Sequence, residues 1–406
     1  MGQPAGHARG DRSVSKDLTG KGPETVLTHA GRDPQAHFGA VNTPVFHAST
    51  ILSPSYADRK REKGPREPRY GRRGTPTVFT LEDVLAEIEG ADAAVICPSG
   101  LSAITTAILA FVNQGDHVLM VDCVYGPARN FATKILPRYG VSTTFFDPAI
   151  GNDIAGLIQD NTKVVYLEAP GSQTFEMQDV PAIAAAARAR GCKVLIDNTW
   201  ATGLLFKPFA HGCDVSVHAA TKYIVGHSDV MMGAITTTAE AYAPVREMWD
   251  LLGHSVGPDD VYLATRGVRT MAVRLAQHQK NAVSVAEWLQ GRPEVARVLY
   301  PALESDPGHA LWKRDFTGAS GLFGVVLKPA SDGRLEAFFD ALSLFGMGSS
   351  WGGYESLAIP ADPAGYRTAT QWSPEGPLIR LHIGLEAPAD LIADLEAGFA
   401  AMQRVS

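Results

Sequence analysis

The stretch "KVVYLEAPGSQTFEMQDVPAIAAAARARGCKVLIDNTWAT", Lys163 to Thr202, decides the fold class. It opens on a short apolar run, turns into an alanine-rich segment, and closes on a second apolar run. Pro181 stands near the start of the middle segment and Gly191 at its end. That asymmetry predicts a helix over Pro181–Arg190. An apolar strand, a helix and a second apolar strand make a crossover unit. Its strands read as near-continuous apolar runs because both faces of a parallel sheet are covered.

The same alternation extends outward from about Ala91 to Thr238. "AAVICPSG" precedes "LSAITTAILAFV", "DHVLMVD" precedes "PARNFATKIL", and "VSTTFFD" leads into "DIAGLIQD". After Thr202 come "CDVSVHAATK" and "GAITTT". Such a series predicts an α/β fold built on a mostly parallel central sheet.

The last third has another rhythm. A long helical stretch, Pro258–Gln290, is followed by "VARVLYPA", "SGLFGVVLK", a helix over Gly333–Ser343, "PLIRLHIGLE" and a closing helix over Pro388–Met402. This suits a smaller C-terminal α+β domain. At 406 residues the chain exceeds one ordinary compact core. The expected division is 1–74 as N-terminal tail and arm, 75–267 as the α/β domain, and 268–406 as the C-terminal domain. Residues 1–22 are polar and glycine-rich, without the apolar core of a signal peptide, and no apolar run elsewhere suits a membrane span.

Net charge of −7 argues against a general nucleic-acid binder, which needs a basic face. One segment runs the other way. Arg59 to Arg73 holds eight basic residues against two glutamates and reads as a solvated basic linker. The four cysteines, Cys97, Cys123, Cys192 and Cys213, lack metal-site spacing and read as reduced residues of a cytoplasmic protein.

Ligands of open parallel sheets sit beyond the carboxyl ends of the strands. The polar residues that terminate the apolar runs are Ser99-Gly100, Tyr125, Glu168, Asp197-Asn198-Thr199 and Thr221-Lys222. Ser99-Gly100 reads either as an ordinary N-cap or as an anion cradle at a helix start. Tyr125 reads as a packing ring or as one that stacks on a flat ligand. Asp197 could act as a base or pair with a heterocyclic N–H. No HExxH motif or carboxylate cluster suggests a metal. A phosphate cradle, a stacking ring, a carboxylate and a lysine are together the set needed by pyridoxal 5'-phosphate.

"DNTWATGLLFKP" followed by "HAATKYIVGHSDVMMG", His218 to Gly233, resembles the cysteine/methionine-metabolism family of pyridoxal-phosphate enzymes. The resemblance runs from about Glu24 to Met402 and implies the fold-type I, aminotransferase-like architecture. It implies that Lys222 carries the cofactor as a Schiff base, that Asp197 pairs with the ring nitrogen, and that Tyr125 stacks on the ring. Gly100 and Leu101 would supply backbone N–H groups to the phosphate, and Thr221 a hydroxyl. Tyr70 and Arg72 resemble the Tyr-x-Arg pair that crosses a dimer interface to the neighbouring subunit's phosphate. Segment 1–74 would then be a dimer contact, and the family suggests a homotetramer built as a dimer of dimers. Arg380 resembles the arginine that clamps the substrate α-carboxylate. Ser350 and Trp351 would lie near that carboxylate and the lysine.

Within the family, "SWGGYESL", "RLHIGLE" and "LEAPGS" are close to the bacterial cystathionine β-lyase pattern. That pattern implies β-elimination of L-cystathionine to homocysteine, pyruvate and ammonia, with Lys222 and Tyr125 moving protons. The alternative is a γ-acting relative, a γ-lyase, a γ-synthase or a homoserine-ester sulfhydrylase. Ala219 stands where many relatives have serine. Ser349 stands where β-lyases tend to have tyrosine and γ-lyases glutamate.

Overall fold

The computed structural model describes residues 18–64 and 66–405. The expected tail therefore lies mostly outside the described residues. Seven strands form the main sheet: β1 (Ala93–Cys97), β2 (His117–Val121), β3 (Ser142–Phe146), β4 (Thr162–Glu168), β5 (Lys193–Asp197), β6 (Val215–His218) and β7 (Gly233–Thr237). Their order is β1-β7-β6-β5-β4-β2-β3. From β6 to β3 neighbouring strands are parallel, and β7 runs against both β6 and β1.

The opening stretch forms β4, the helix Val180–Ala189 and β5, as its pattern requires. Strand β2 is buried along its whole length, and so are Val194 to Asp197 of β5. Helices on both faces leave these strands no polar face, and the sequence shows none. The strand order reverses between β2 and β4, so the crevice above their carboxyl ends is the topological switch point.

A second, antiparallel sheet has the order β10-β11-β9-β8, from β8 (Val295–Leu299), β9 (Leu322–Leu327), β10 (Leu357–Ala361) and β11 (Leu378–His382). Strand β10 lies at an edge and contains Pro360, where a missing N–H costs no ladder bond. One apolar cluster joins the two sheets, including Leu167 and Ile196 of the first and Phe323 and Leu381 of the second. The Trp200 indole N–H donates to Leu322 O at 2.9 Å and ties the end of β5 to the start of β9.

The helical stretch Pro258–Gln290 is broken at Thr270 into Pro258–Arg269 and Met271–Gln290. Arg274 fills the break, donating from Nη2 to Gly267 O and Tyr223 O, each at 2.8 Å. The segment that follows Lys222 is thereby pinned to these helices. All four cysteines are buried and free. Among the described residues no group of His, Cys, Asp and Glu could hold a metal, and no helix is long and apolar enough to cross a membrane.

Candidate active site

The strand-terminating residues lie at the carboxyl edge of the parallel strands. Asp197 ends β5 in register with Glu168 at the end of β4. One Asp197 oxygen, Oδ1, accepts the Thr199 N–H at 2.9 Å and also the Thr199 hydroxyl. The other, Oδ2, has no donor among the described residues and is left for an outside partner. Burial pushes the Asp197 carboxyl up from its ordinary range, and the Thr199 bonds oppose this.

Behind Asp197, His218 Nε2 contacts Glu89 Oε1 at 2.8 Å, both side chains being buried. Burial opposes a proton on this imidazole, but the Glu89 charge and hydrogen bond outweigh it and raise its pKa. Asn198 Nδ2 donates to the same Glu89 oxygen at 3.1 Å. Glu89 is the last residue of the helix Pro76–Glu89, and nothing in the sequence singles it out. A charged residue at a helix end ordinarily faces water.

Lys222 follows β6 on the turn after His218. Its ammonium is drawn down from 10.5 to about 8, chiefly by burial and then by the Arg380 charge, with Asp197 opposing. Its Nζ donates to the Ser350 hydroxyl and lies 5.3 Å from the Trp351 ring centre. Ser350 adopts φ +88°, a left-handed conformation that a serine enters only at a cost. Gly352 shares that φ, and a Cβ there would sit 2.9 Å from the Lys222 backbone. The "SWGG" turn therefore presses directly on the lysine. Its amide is fixed from behind, Gly352 N–H donating to His382 Nε2 at 3.2 Å.

Arg380 rises from β11 between Ile359 of β10 and Gly324 of β9. Its Nη2 donates to Ser350 O at 2.7 Å, and its Nε is buried without a partner. Burial lowers its pKa to about 10, and no carboxylate among the described residues compensates the charge. Such a guanidinium is prepared for a carboxylate from outside.

The helix Gly100–Leu109 starts in the same crevice. Ser99 and Ser102 close a reciprocal capping box, and the N–H groups of Gly100 and Leu101 keep no acceptor among the described residues. Gly100 is required here, because a Cβ would meet the Ala219 Cβ at 2.5 Å. Thr221 Oγ1 donates to Met232 O at 3.1 Å and accepts from Met232 N at 2.9 Å. A phosphate contact from that hydroxyl would replace the bond to Met232 O. Tyr125 precedes the helix Gly126–Lys134, half-exposed, with its N–H donated to Glu168 Oε2 at 2.7 Å.

Tyr70 and Arg72 sit elsewhere on the surface of the single chain. The Tyr70 hydroxyl accepts from Ser49 Oγ at 3.5 Å, and Arg72 Nη1 lies 3.5 Å from Asp250. Neither contacts Lys222, Asp197, Tyr125 or Arg380 among the described residues. Beside Tyr70, a cleft of about 840 Å³ is lined by Tyr56, Arg59, Arg69 and Arg73.

Two amides at a helix start and a carboxylate oxygen, all without partners among the described residues, and a depressed lysine make a site of defined class. It fits an anionic, aromatic aldehyde cofactor, and pyridoxal phosphate has that chemistry. The chain belongs to the Cys/Met metabolism PLP-dependent enzyme family, whose model matches residues 24–400. It is 48% identical over 386 residues to the cystathionine beta-lyase MetC of Escherichia coli, covering 93% of this chain and 98% of that one. Identity to the cystathionine beta-lyase of Salmonella typhimurium is 46% over 392 residues, covering 94% and 99%. The solved structure of metB from Corynebacterium glutamicum matches with a TM-score of 0.86 at 30% identity, over 95% of this chain and 99% of that one.

Proposed function

We propose that the chain is a cystathionine β-lyase, cleaving L-cystathionine to homocysteine, pyruvate and ammonia. The observation that carries an amino-acid substrate is Arg380, a half-buried guanidinium whose Nε is buried without a partner among the described residues, joined through Ser350 to Lys222. The two enteric relatives named as cystathionine β-lyases favour β- over γ-elimination.

Pyridoxal phosphate, when bound, accepts the electrons of a bond broken at the amino acid's α-carbon. Arg380 takes the α-carboxylate, with Ser350 and Trp351 beside it. Asp197 Oδ2 would pair with the ring nitrogen, and Tyr125 would lie against the ring. Gly100, Leu101 and Thr221 would hold the phosphate. Lys222 takes the α-proton, which requires its neutral form, and the depressed pKa increases that fraction at neutral pH. A protonated Lys222 or the Tyr125 phenol gives a proton to the departing sulfur. Burial raises the phenol's pKa, which keeps its proton available.

Tyr70, exposed on the single chain, and Arg72, half-buried beside Asp250, serve the neighbouring subunit's phosphate in a dimer, and two such dimers make a tetramer. The enzyme works in the cytoplasm, with no nucleic-acid or membrane partner. The test is the keto acid formed by the holoenzyme from L-cystathionine. Pyruvate supports the reading, and 2-oxobutyrate would replace it with a γ-lyase.

A further inference from the structure

Glu168 has no task in the chemistry above, yet it stands at the centre of the crevice. It ends β4 at the switch point, with Asp197 as its register partner on β5. Its Oε2 accepts the Tyr125 N–H at 2.7 Å. Tyr125 is the N-cap of the helix Gly126–Lys134, and its carbonyl accepts the Arg129 N–H at 3.1 Å. The Glu168 bond holds the amide side of the same peptide backbone, from which the ring projects. Gln178 braces the Glu168 backbone from the other side, Glu168 N–H donating to Gln178 Oε1 at 3.2 Å and Gln178 Nε2 donating to Glu168 O.

Two carboxyl groups thus sit side by side in a desolvated crevice, and both cannot be charged without cost. Their surroundings differ. Asp197 has two donors from Thr199 and the nearby charges of His218 and Lys222. Glu168 has one neutral N–H, and no Lys, Arg or His donates to its carboxylate among the described residues. Among the described residues, the other titratable groups that interact with it are Tyr125, Tyr166 on its own strand and Cys123 after β2, none of them cationic. A shared proton therefore belongs on Glu168. Burial first, and Asp197 second, raise its pKa well above the usual carboxylate range.

We propose that Glu168 is a positioning residue that works as an uncharged carboxylic acid, fixing Tyr125 and leaving Asp197 as the charged member of the pair. An uncharged acceptor holds the Tyr125 amide without adding a second negative charge beside the ring nitrogen. This inference rests on Tyr125 and Asp197 lining the cofactor site, and not on which sulfur amino acid is cleaved.

The test uses the holoenzyme with Glu168→Ala, Glu168→Gln and Tyr125→Ala. Loss of the acceptor in Glu168→Ala should lower kcat/KM and cofactor retention by roughly threefold to tenfold. Glu168→Gln keeps a neutral carbonyl acceptor and should restore most of that loss. The pH dependence of the cofactor's visible absorbance should match wild type. Infrared difference spectra at neutral pH should show a carboxylic-acid carbonyl band in wild type that Glu168→Gln lacks. A missing band overturns the proposal. So does a Gln variant that behaves like Ala, titrates differently or fails to fold, because Gln is the isostere of the neutral acid. If Tyr125→Ala leaves the cofactor spectrum unmoved, the site reading itself fails. If Tyr125→Ala shifts the spectrum and Glu168→Ala changes nothing, only the role of Glu168 is lost.

Discussion

Arg380 donates from Nη2 to the carbonyl oxygen of Ser350 at 2.7 Å, while the Ser350 hydroxyl accepts from Lys222 Nζ. One serine in a left-handed conformation therefore spaces the two cations of the crevice. The guanidinium lowers the lysine's pKa, Asp197 partly offsets this, and neither cation makes an ion pair with a carboxylate among the described residues. An amino-acid carboxylate entering beside Arg380 would relieve that repulsion. Its arrival should raise the Lys222 pKa from about 8.

In the cofactor-free protein, the rate at which Lys222 condenses with pyridoxal phosphate should climb as pH rises through about 8 and then level off. Stopped-flow absorbance measures this, and a rate still rising toward 10.5 would contradict it. The linkage sign follows from the same shift. Between about 8 and 10.5 the unfolded chain holds this proton and the folded chain does not, so the group's contribution to stability grows with pH. Below about 8 both states hold the proton and the contribution is flat.

If the Lys222 side chain supplies both the link and the base, Lys222→Ala holoenzyme preparations should lack the visible Schiff-base absorbance and form no measurable pyruvate. Normal turnover by that variant would remove Lys222 from the chemistry.

Arg380→Lys should cost about 2–5 kcal/mol of transition-state stabilisation, read from the fall in kcat/KM, because a point charge cannot replace a two-point carboxylate clamp. The loss should appear mostly in KM if the clamp acts equally before and during bond cleavage. Unchanged kinetics would take Arg380 out of the substrate site.

Gly352→Ala places a Cβ 2.9 Å from the Lys222 backbone at φ +88°. Strain and overpacking together predict about 2–4 kcal/mol of lost stability. Thermal melting and cofactor occupancy should fall together, because the clash is with the lysine's own backbone.

Arg72→Ala and Lys222→Ala chains, each impaired alone, should recover activity when refolded together. A mixed dimer then holds one crevice with an intact lysine and an intact donor from the neighbour. Mixing without recovery would place Arg72 in its own chain's site.

Much of the α/β domain is legible in its residues. Lys163 to Thr202 shows β4, a helix and β5 because a doubly covered strand has no polar face to interrupt its apolar run. The residues that end such runs, Ser99, Tyr125, Glu168, Asp197 and Thr221, share one edge because parallel strands all stop on the same side. What stays hidden depends on contacts between distant segments. Glu89 reads as a surface residue at a helix end and is buried against His218, 129 positions away. The break at Thr270 is invisible because its flanks are helical on both sides, and only Arg274 bridging to Tyr223 O shows why the chain bends there. Strand β10 carries a proline and follows a glycine turn, so its pattern reads as loop.

The contact between Gly352 and Lys222 also bears on how such an enzyme could acquire new substrates. The turn is closely packed where it touches the lysine and exposed two and three residues earlier, at Ser350 and Ser349. Variation at Ser349 can therefore be sampled without disturbing the Gly352 contact with Lys222. A library confined to that one exposed position separates the choice of leaving group from the capacity to expel it, and makes this crevice a practical starting point for directed evolution.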